Sequence, residues 1–362
     1  MTVINTLKTL SKKFPMTFVL FILILCTFPL YLFDFRLVIV GKFVTYAILA
    51  IGLDLLWGYT GILSLGHGVF FGIGAYCMGM YLKLQTETLP DFMSWSGLEQ
   101  LPWFWKPFEH AWFAFPMIII LPALFAILIG YPAFRSGIKG VYFSILSQAL
   151  ALAVSILLVG QQPFTGGTNG MTNFREIIGF QIHDRSTKIL LYFVSILVLV
   201  LAFVFARWLV KTKTGRILVA IRDGENRLKY LGYNPVGFKV MIYAVSAVLA
   251  GIAGALFVPQ VGIISPSSVG ILPSVEMAIW VAVGGRGTII GPVFGAFLVN
   301  GAKTFLSESF PDIWWYFFGA LFVVIVFVFP NGLFSIFEIV KKLIKKTFNI
   351  KEKIESCDGE NL

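Results

Sequence analysis

Apolar segments long enough to cross a lipid bilayer recur along most of the chain. Hydrophobic residues make up 58% of its 362 residues and charged residues 13%, whereas a soluble domain carries about a quarter charged residues. Mean hydropathy is +0.87. A transmembrane helix needs ~20 mostly apolar residues. We predict spans at residues 16–32, 37–57, 65–82, 112–130, 141–160, 188–207, 239–258, 274–284, 291–306 and 314–330.

This pattern predicts an all-α polytopic membrane protein, a bundle of about ten transmembrane helices of which some are discontinuous. The segment 274–284 is too short to cross a ~30 Å hydrocarbon core alone. Either it takes in residues 270–273, or its backbone is broken and packed inside the protein.

The net charge is +10, and the basic residues lie in loops beside the apolar spans. This placement follows the positive-inside rule, so we predict a multi-pass protein of the plasma (cell inner) membrane with both termini cytoplasmic. Lipid is the expected surrounding and nucleic acid is excluded as a partner. The predicted divisions are a cytoplasmic N-terminus (1–15), a membrane domain (16–335) with an outer insertion (83–111) and a cytoplasmic loop (208–238), and a basic cytoplasmic tail (336–362).

Cysteine spacing indicates neither a metal site nor a disulfide framework, because the three cysteines form no C-x-x-C pair. We expect no metal and no cofactor.

Glycines are dense between residues 58 and 76. They favour either close helix packing through small residues or non-helical backbone that lines a cavity, and the pattern does not separate the two. Within this segment, His67 is ionisable at membrane depth and Ser64 precedes it by one turn. Both are candidate substrate-path residues, although His67 is equally explained as a packing group.

The fifth span carries a neutral polar face. Ser144, Gln148, Ala151 and Ser155 follow helical spacing. Ser144, Gln148 and Ser155 are therefore candidates for a path taken by an uncharged solute that forms hydrogen bonds. The alternative is hydrogen bonding between helices.

An outer loop at residues 164–173 has the glycine content of a phosphate-binding loop. It lacks the Gly-Lys-Ser/Thr sequence and a preceding strand, so nucleotide binding is excluded. We predict instead a turn at the outer mouth, where a delivery protein could bind. Its residues are Thr165, Gly166, Gly167, Thr168 and Asn169.

The cytoplasmic loop contains an amphipathic element longer than a connector requires. Its apolar face is flanked by basic residues, and Asp223 can begin a second short helix with Glu225 in its first turn. We predict a docking element for a cytoplasmic partner, with a helix lying on anionic lipid as the alternative. The docking candidates are Gly215, Arg216, Ile217, Ile221, Arg222, Asp223 and Glu225.

Three further charges, Lys42, Asp54 and Glu276, lie near predicted span ends and are explained by snorkelling. An ion-coupled secondary transporter would have to use Asp54 or Glu276. A passive channel for a neutral solute would need no docking loop.

Four of these segments together resemble the LivM-type permeases of branched-chain amino acid ABC importers. They are residues 58–67, 165–170, 215–223 and 284–292, and the resemblance runs from about residue 37 to 335. The segments at 89–93, 101–105, 134–144 and 310–314 are similar to the LivM-like subunit of urea importers.

The resemblance implies a non-enzymatic permease subunit for urea, with branched-chain amino acids or short amides as the alternative substrates. It also implies four kinds of partner: a second, LivH-like permease, two ABC ATPase subunits, an extracytoplasmic substrate-binding protein and membrane lipid. The ATPase-docking loop of the family corresponds to residues 215–232.

Overall fold

The computed structural model describes residues 16–86, 89–310, 316, 319 and 320, and they are mainly helical. Twelve helices have both ends within these residues. They are α1 (Met16–Tyr31), α2 (Asp34–Thr60), α3 (His67–Leu84), α4 (Asp91–Trp95), α5 (Ala111–Arg135), α6 (Val141–Gly160), α7 (Gln162–Thr165), α8 (Arg185–Lys211), α9 (Lys213–Tyr230), α10 (Pro235–Val261), α11 (Ile271–Gly284) and α12 (Ile290–Ser309).

Four two-residue strands form two small antiparallel pairs. β2 (Glu176–Ile177) pairs with β3 (Phe180–Gln181). β1 (Met171–Thr172) pairs with β4 (Ile263–Ile264), so the loop after α7 is joined to the chain just before α11.

The predicted count of about ten transmembrane helices is wrong for the described residues, in which six segments are long and apolar enough to cross a membrane. These are α2, α5, α6, α8, α10 and the segment Pro266–Gly284 that contains α11. The sequence pattern counted every apolar run. However, α1 is only 16 residues long, and α3 and α12 contain many Gly and polar residues. Most of the predicted span 314–330 lies outside the described residues.

The short predicted span at 274–284 combines its two alternatives, because α11 takes in residues 271–273 and the backbone on either side of it is not α-helical. α11 begins at Ile271 and follows a 3-10 turn at Pro266–Ser268. The helix therefore takes in residues that the apolar run alone did not include.

The core of the bundle is built around α2 and α10, most of whose residues are buried. α3 crosses α10 so closely that a Cβ on Gly74 would collide with the Gly251 carbonyl, and one on Gly254 with the Phe71 carbonyl. Small residues permit this approach of two helices in lipid. The packing interpretation therefore holds for Gly74, while the residues just before α3 are not helical.

The loops collect at two ends of the bundle. We call the end formed by residues 89–110 and 161–184 the insertion end, where Trp105 Nε1 donates to the Phe164 carbonyl at 3.2 Å. We call the end formed by residues 136–140, 213–235 and 285–289 the basic end, where Lys139 pairs with Glu225 at 3.1 Å.

Candidate functional site

The chain leaves helical geometry between α2 and α3, at residues 61–66. α2 ends at Thr60, and Gly61 has φ +74 with its N–H bonded to the Trp57 carbonyl. A positive φ is easily adopted only by glycine, which explains this residue at the helix end. We call residues 61–66 the first break.

The polar face of α6 holds the first break. Ser144 Oγ donates to the Leu63 carbonyl at 2.8 Å, and the Leu65 N–H donates to Ser147 Oγ at 2.9 Å. A Cβ on Gly66 would collide with the Ser147 carbonyl. Ser144 and Ser147 thus satisfy backbone groups that a helix would have satisfied internally, which supports the structural interpretation for Ser144.

Two other polar residues of α6 differ from these serines. Ser155 Oγ donates to the Pro266 carbonyl at 3.2 Å. Gln148 is half-buried and has no hydrogen-bond partner among the described residues. Among the four hydroxyl and amide side chains on this face, Gln148 is the one whose donors and acceptor all lack a partner among the described residues.

Ser64 and His67 lie inside the bundle and are fully buried. His67 Nε2 is 2.6 Å from Ser246 Oγ, and Ser246 Oγ donates to the Gly52 carbonyl at 2.6 Å. Because the serine has one hydrogen, His67 Nε2 must be the donor, which fixes the neutral Nε2–H tautomer. His67 therefore packs α3 against α10 and α2, and contact of Ser64 or His67 with a substrate remains a prediction.

A second break, residues 285–289 between α11 and α12, is held by a buried carboxyl group. Asp54 is fully buried, and it accepts from the Gly287 N–H at 2.5 Å and from the Ile289 N–H at 3.0 Å. Tyr59 Oη donates to the Gly287 carbonyl at 3.0 Å. The snorkelling explanation of Asp54 is wrong, because its carboxyl reaches backbone N–H groups rather than water.

Sequence reasoning missed this role of Asp54. Two signals in the sequence were usable. Gly58 lies one turn after Asp54 on the same helix face, which leaves room for another segment to approach. The glycine-rich segment 284–287 has backbone N–H groups that need hydrogen-bond acceptors. Glu276, the other acid explained by snorkelling, forms an ion pair with Lys303 Nζ at 2.7 and 2.9 Å.

Helix α9 at the basic end is divided into two parts close to the position that the sequence predicted. Its backbone departs from helical values at Gly224, next to the Asp223 that was predicted to begin a second helix. Arg216 and Asp223 are exposed, Gly215 is buried and Ile217 is half-buried.

One docking candidate needs correction, because Ile221 is buried within this chain at 5% exposure. It lines a cavity of about 80 Å³ with Ile62, Phe134 and Phe143, so it cannot be an open anchor for a partner. An amphipathic pattern identifies the apolar face of a helix and leaves open what covers that face.

Arg222 and Glu225, predicted to be part of a charged rim, also tie α9 to the bundle, and Arg222 remains exposed and pairs with Asp223 at 3.0 Å. Arg222 Nη1 donates to the Gly58 carbonyl at 2.7 Å. Glu225 pairs with Lys239 at 2.8 Å, with Lys139 at 3.1 Å and with Lys229 at 3.7 Å.

The Glu225 carboxylate is held in its charged form. Burial alone would raise the pKa of Glu225, but hydrogen bonds from Lys239 and Lys139 and their charges outweigh it, so the pKa lies below its ordinary value. A carboxyl whose pKa is lowered on folding stabilises the folded state above its ordinary pKa. That contribution is lost only as pH falls through the lowered value.

Apolar side chains remain open at the end of α9. Tyr230 is 90% exposed and Leu231 75%, and Tyr233 follows them at the surface. Sequence reasoning did not single out these residues, although an aromatic and aliphatic cluster outside the spans was a usable signal.

The predicted outer-mouth turn lies at the insertion end, and its first three residues are buried while its last two are exposed. Thr165 Oγ1 donates to the Leu158 and Gln161 carbonyls at 2.6 and 2.9 Å, and Gly166 and Gly167 are buried beside it with positive φ. Thr168 and Asn169 are exposed, so they are the open part of the turn.

These features define a class. Six apolar helices, two backbone breaks inside the bundle and a charged helix at one end are the architecture of a multi-pass membrane permease. The chain belongs to the family described as the permease component of the branched-chain amino acid transport system, whose model matches residues 35–326.

Individual relatives agree with the family match. The chain is similar to the high-affinity branched-chain amino acid transport system permease protein LivM of Salmonella typhimurium, at 27% identity over 80% of this chain and 67% of the relative. It is similar to BraD of Pseudomonas aeruginosa, a permease protein of the same kind, at 26% identity over 82% of this chain and 94% of the relative.

A third relative has a different name. It is the autoinducer 2 import system permease protein LsrC of Yersinia enterocolitica, at 29% identity over 59% of this chain and 61% of the relative. No solved structure matches the chain. Because the relatives are permease proteins, the comparisons support a translocation subunit rather than an enzyme.

Proposed function

We propose that this permease is the translocation subunit of an ATP-driven importer and that it forms, with a second LivH-like permease, the path for urea. The half-buried amide of Gln148 is the observation that carries the choice of a neutral solute. An amide donates and accepts hydrogen bonds, as a neutral nitrogen compound requires. The similarity of residues 89–93, 101–105, 134–144 and 310–314 to urea importers supports urea as that solute.

The two acids available for ion coupling have structural partners, which favours this choice. Asp54 accepts two backbone N–H groups, and Glu276 is paired with Lys303. A secondary transporter needs an acid that takes up and releases a proton along the path, whereas these two carboxyls hold a backbone segment and a lysine.

Branched-chain amino acids are the second candidate substrate. This class is favoured by the names of the relatives LivM and BraD. It leaves the permease role unchanged and alters only what the path accepts.

The partners follow from the two ends of the bundle, with the basic end taken as cytoplasmic by the positive-inside rule. We assign ATPase docking to the open surface of α9, where exposed Arg216 and Asp223 accompany Tyr230 and Leu231. Aromatic and aliphatic side chains supply most of the affinity of such contacts, and charges at the rim supply orientation. The exposed Thr168 and Asn169 at the insertion end are assigned to the extracytoplasmic binding protein.

Uptake by the assembled complex in sealed vesicles tests the substrate. With ATP inside, labelled urea is expected to accumulate, with weak dependence on membrane potential and external pH. Equimolar leucine is expected to leave urea uptake unchanged. Leucine uptake that exceeds urea uptake would establish the second candidate, and uptake by this chain without ATPase subunits would contradict the permease role.

A further inference from the structure

We propose that Arg222 and Glu225 act as a two-point latch that carries movement of α9 to the first break, and so to Gln148. They are positioning residues, because neither is placed in contact with solute. The inference rests on the proposed function and extends it, since it names which contacts connect the helix outside the spans with the path inside them.

The first point of the latch lies at the end of α2. α2 ends at Thr60, so Gly58 belongs to its last turn, where carbonyls lack partners within the helix. Arg222 supplies the missing donor at 2.7 Å, and a cation at this position also interacts favourably with the helix dipole. The same side chain lies over the start of the first break, since a Cβ on Gly61 would be 3.2 Å from Arg222 Cγ.

From the first break the contacts continue to α6. Leu63 and Leu65 are bonded to Ser144 and Ser147, and Gln148 directly follows Ser147. A displacement of the Gly58–Gly61 turn must therefore either pull on α6 or break these two hydrogen bonds. In both cases the surroundings of the Gln148 amide change.

The second point of the latch holds the other part of α9. Glu225 bonds Lys239 near the start of α10 and Lys139, two residues before α6 begins at Val141. The Lys239 and Glu225 side chains are only 5% and 14% exposed. Breaking one partner of such a pair would leave the other charge buried alone, so the contact is strongly retained.

The two points lie on opposite sides of Gly224, where α9 departs from helical geometry. Each helical part of α9 is therefore fixed by its own contact, one to the end of α2 and one to the starts of α6 and α10. The Arg222 contact reaches the start of the first break, and the Glu225 contact reaches Lys139 just before α6. Movement of α9 as a whole therefore acts on the place where the first break is bonded to α6.

The test uses the assembled complex and separates docking from coupling. Arg222→Gln removes the charge, and Lys213→Gln removes a charge from the exposed start of the same helix as the matched control. We measure retained ATPase subunits, basal ATP hydrolysis, hydrolysis stimulated by binding protein loaded with urea or with leucine, and uptake of both solutes. Arg222→Gln should retain the ATPase subunits and basal hydrolysis. Stimulated hydrolysis and uptake should fall about tenfold or more, the expected effect of losing a hydrogen bond from a charged donor.

Two further variants sharpen the result. Arg222→Lys keeps the charge and should restore part of the uptake. Glu225→Gln should lower uptake as well. The double variant should lose less than the product of the two single effects, because the two residues act in the same connection and either variant alone already interrupts it. If Arg222→Gln reduces the amount of folded protein, the comparison is made with Arg222→Lys, which should then retain the ATPase subunits and show a smaller, partial loss of stimulated hydrolysis.

Wild-type uptake by Arg222→Gln, or a loss no greater than that of Lys213→Gln, would overturn the latch. Loss of ATPase subunits in proportion to uptake would also overturn it, because Arg222 would then be a docking residue only. A wild-type complex that accumulates neither urea nor leucine with ATP would contradict the proposed function itself, which is a separate outcome.

Discussion

The two breaks lie side by side at the basic end, and they are held by different chemistry. The second break, 285–289, is bonded by the carboxyl of Asp54 and the hydroxyl of Tyr59, both on α2. The first break, 61–66, is bonded by two serine hydroxyls of α6, a different helix. The second break thus receives three side-chain hydrogen bonds, all from α2, whereas the first receives two, from a neighbouring helix, so the second is held more firmly than the first.

Gly58 joins the two regions. A Cβ there would collide with Asp54 and with the Gly287 backbone, so α2 and the second break touch without a side chain between them. The comparison therefore separates the second break, which is held rigidly by Asp54 and Tyr59, from the first break, which can be displaced at lower cost.

The largest expected effect comes from Asp54→Ala. It leaves the N–H groups of Gly287 and Ile289 buried without acceptors, at about 1–3 kcal/mol each, so the thermal midpoint of the purified protein should fall sharply. Hydrogen exchange should accelerate at residues 285–289 more than at 61–66. Glu99→Ala, at an exposed position in the insertion, is the control, and equal midpoints for the two variants would contradict a rigid second break.

A smaller effect is expected from Ser144→Ala and Ser147→Ala. Ser144→Ala removes one neutral hydrogen bond and Ser147→Ala removes two, each worth about 0.5–1.5 kcal/mol, so each midpoint should lie between those of wild type and Asp54→Ala. Exchange should now accelerate at residues 61–66 first. Ser94→Ala, at an exposed position, provides the matched control. Destabilisation as large as that of Asp54→Ala would remove the distinction between the two breaks.

The smallest effect on stability is expected from Gln148→Leu. The amide has no partner among the described residues, so its removal should leave the free energy of unfolding within about 0.5 kcal/mol of wild type. Urea uptake should nevertheless fall, because the solute loses its hydrogen-bonding partner. Gln161→Leu, the same change at the exposed end of α6, should leave uptake intact. Unchanged uptake by Gln148→Leu would assign the whole polar face of α6 to packing.

The sequence predicted five of the long apolar helices and the division of α9 well, because these features depend on residues that are close together in the chain. The apolar periods located α2, α5, α6, α8 and α10, and the Asp223-Gly224 signal located the division of α9. These features are determined by spacing and by turn chemistry within a few residues.

Long-range pairing was not predictable in the same way. Asp54 and Gly287 are 233 residues apart, and Leu65 and Ser147 are 82 residues apart, so no local period connects them. The cover over Ile221 likewise comes from Ile62, Phe134 and Phe143, residues of other segments. The sequence thus identified polar and apolar faces, and only the packing of the helices identified what each face contacts.

The pairing of β1 with β4 has a mechanical consequence. It attaches the exposed turn at Thr168 and Asn169 to the chain that enters α11, and the other end of α11 leads directly into residues 285–289. A helix of 14 residues is about 21 Å long and changes its length very little. α11 therefore acts as a stiff rod within the bundle: movement of the exposed turn reaches it through the 3-10 turn at Pro266–Ser268 and passes along the helix to residues 285–289, which Asp54 binds.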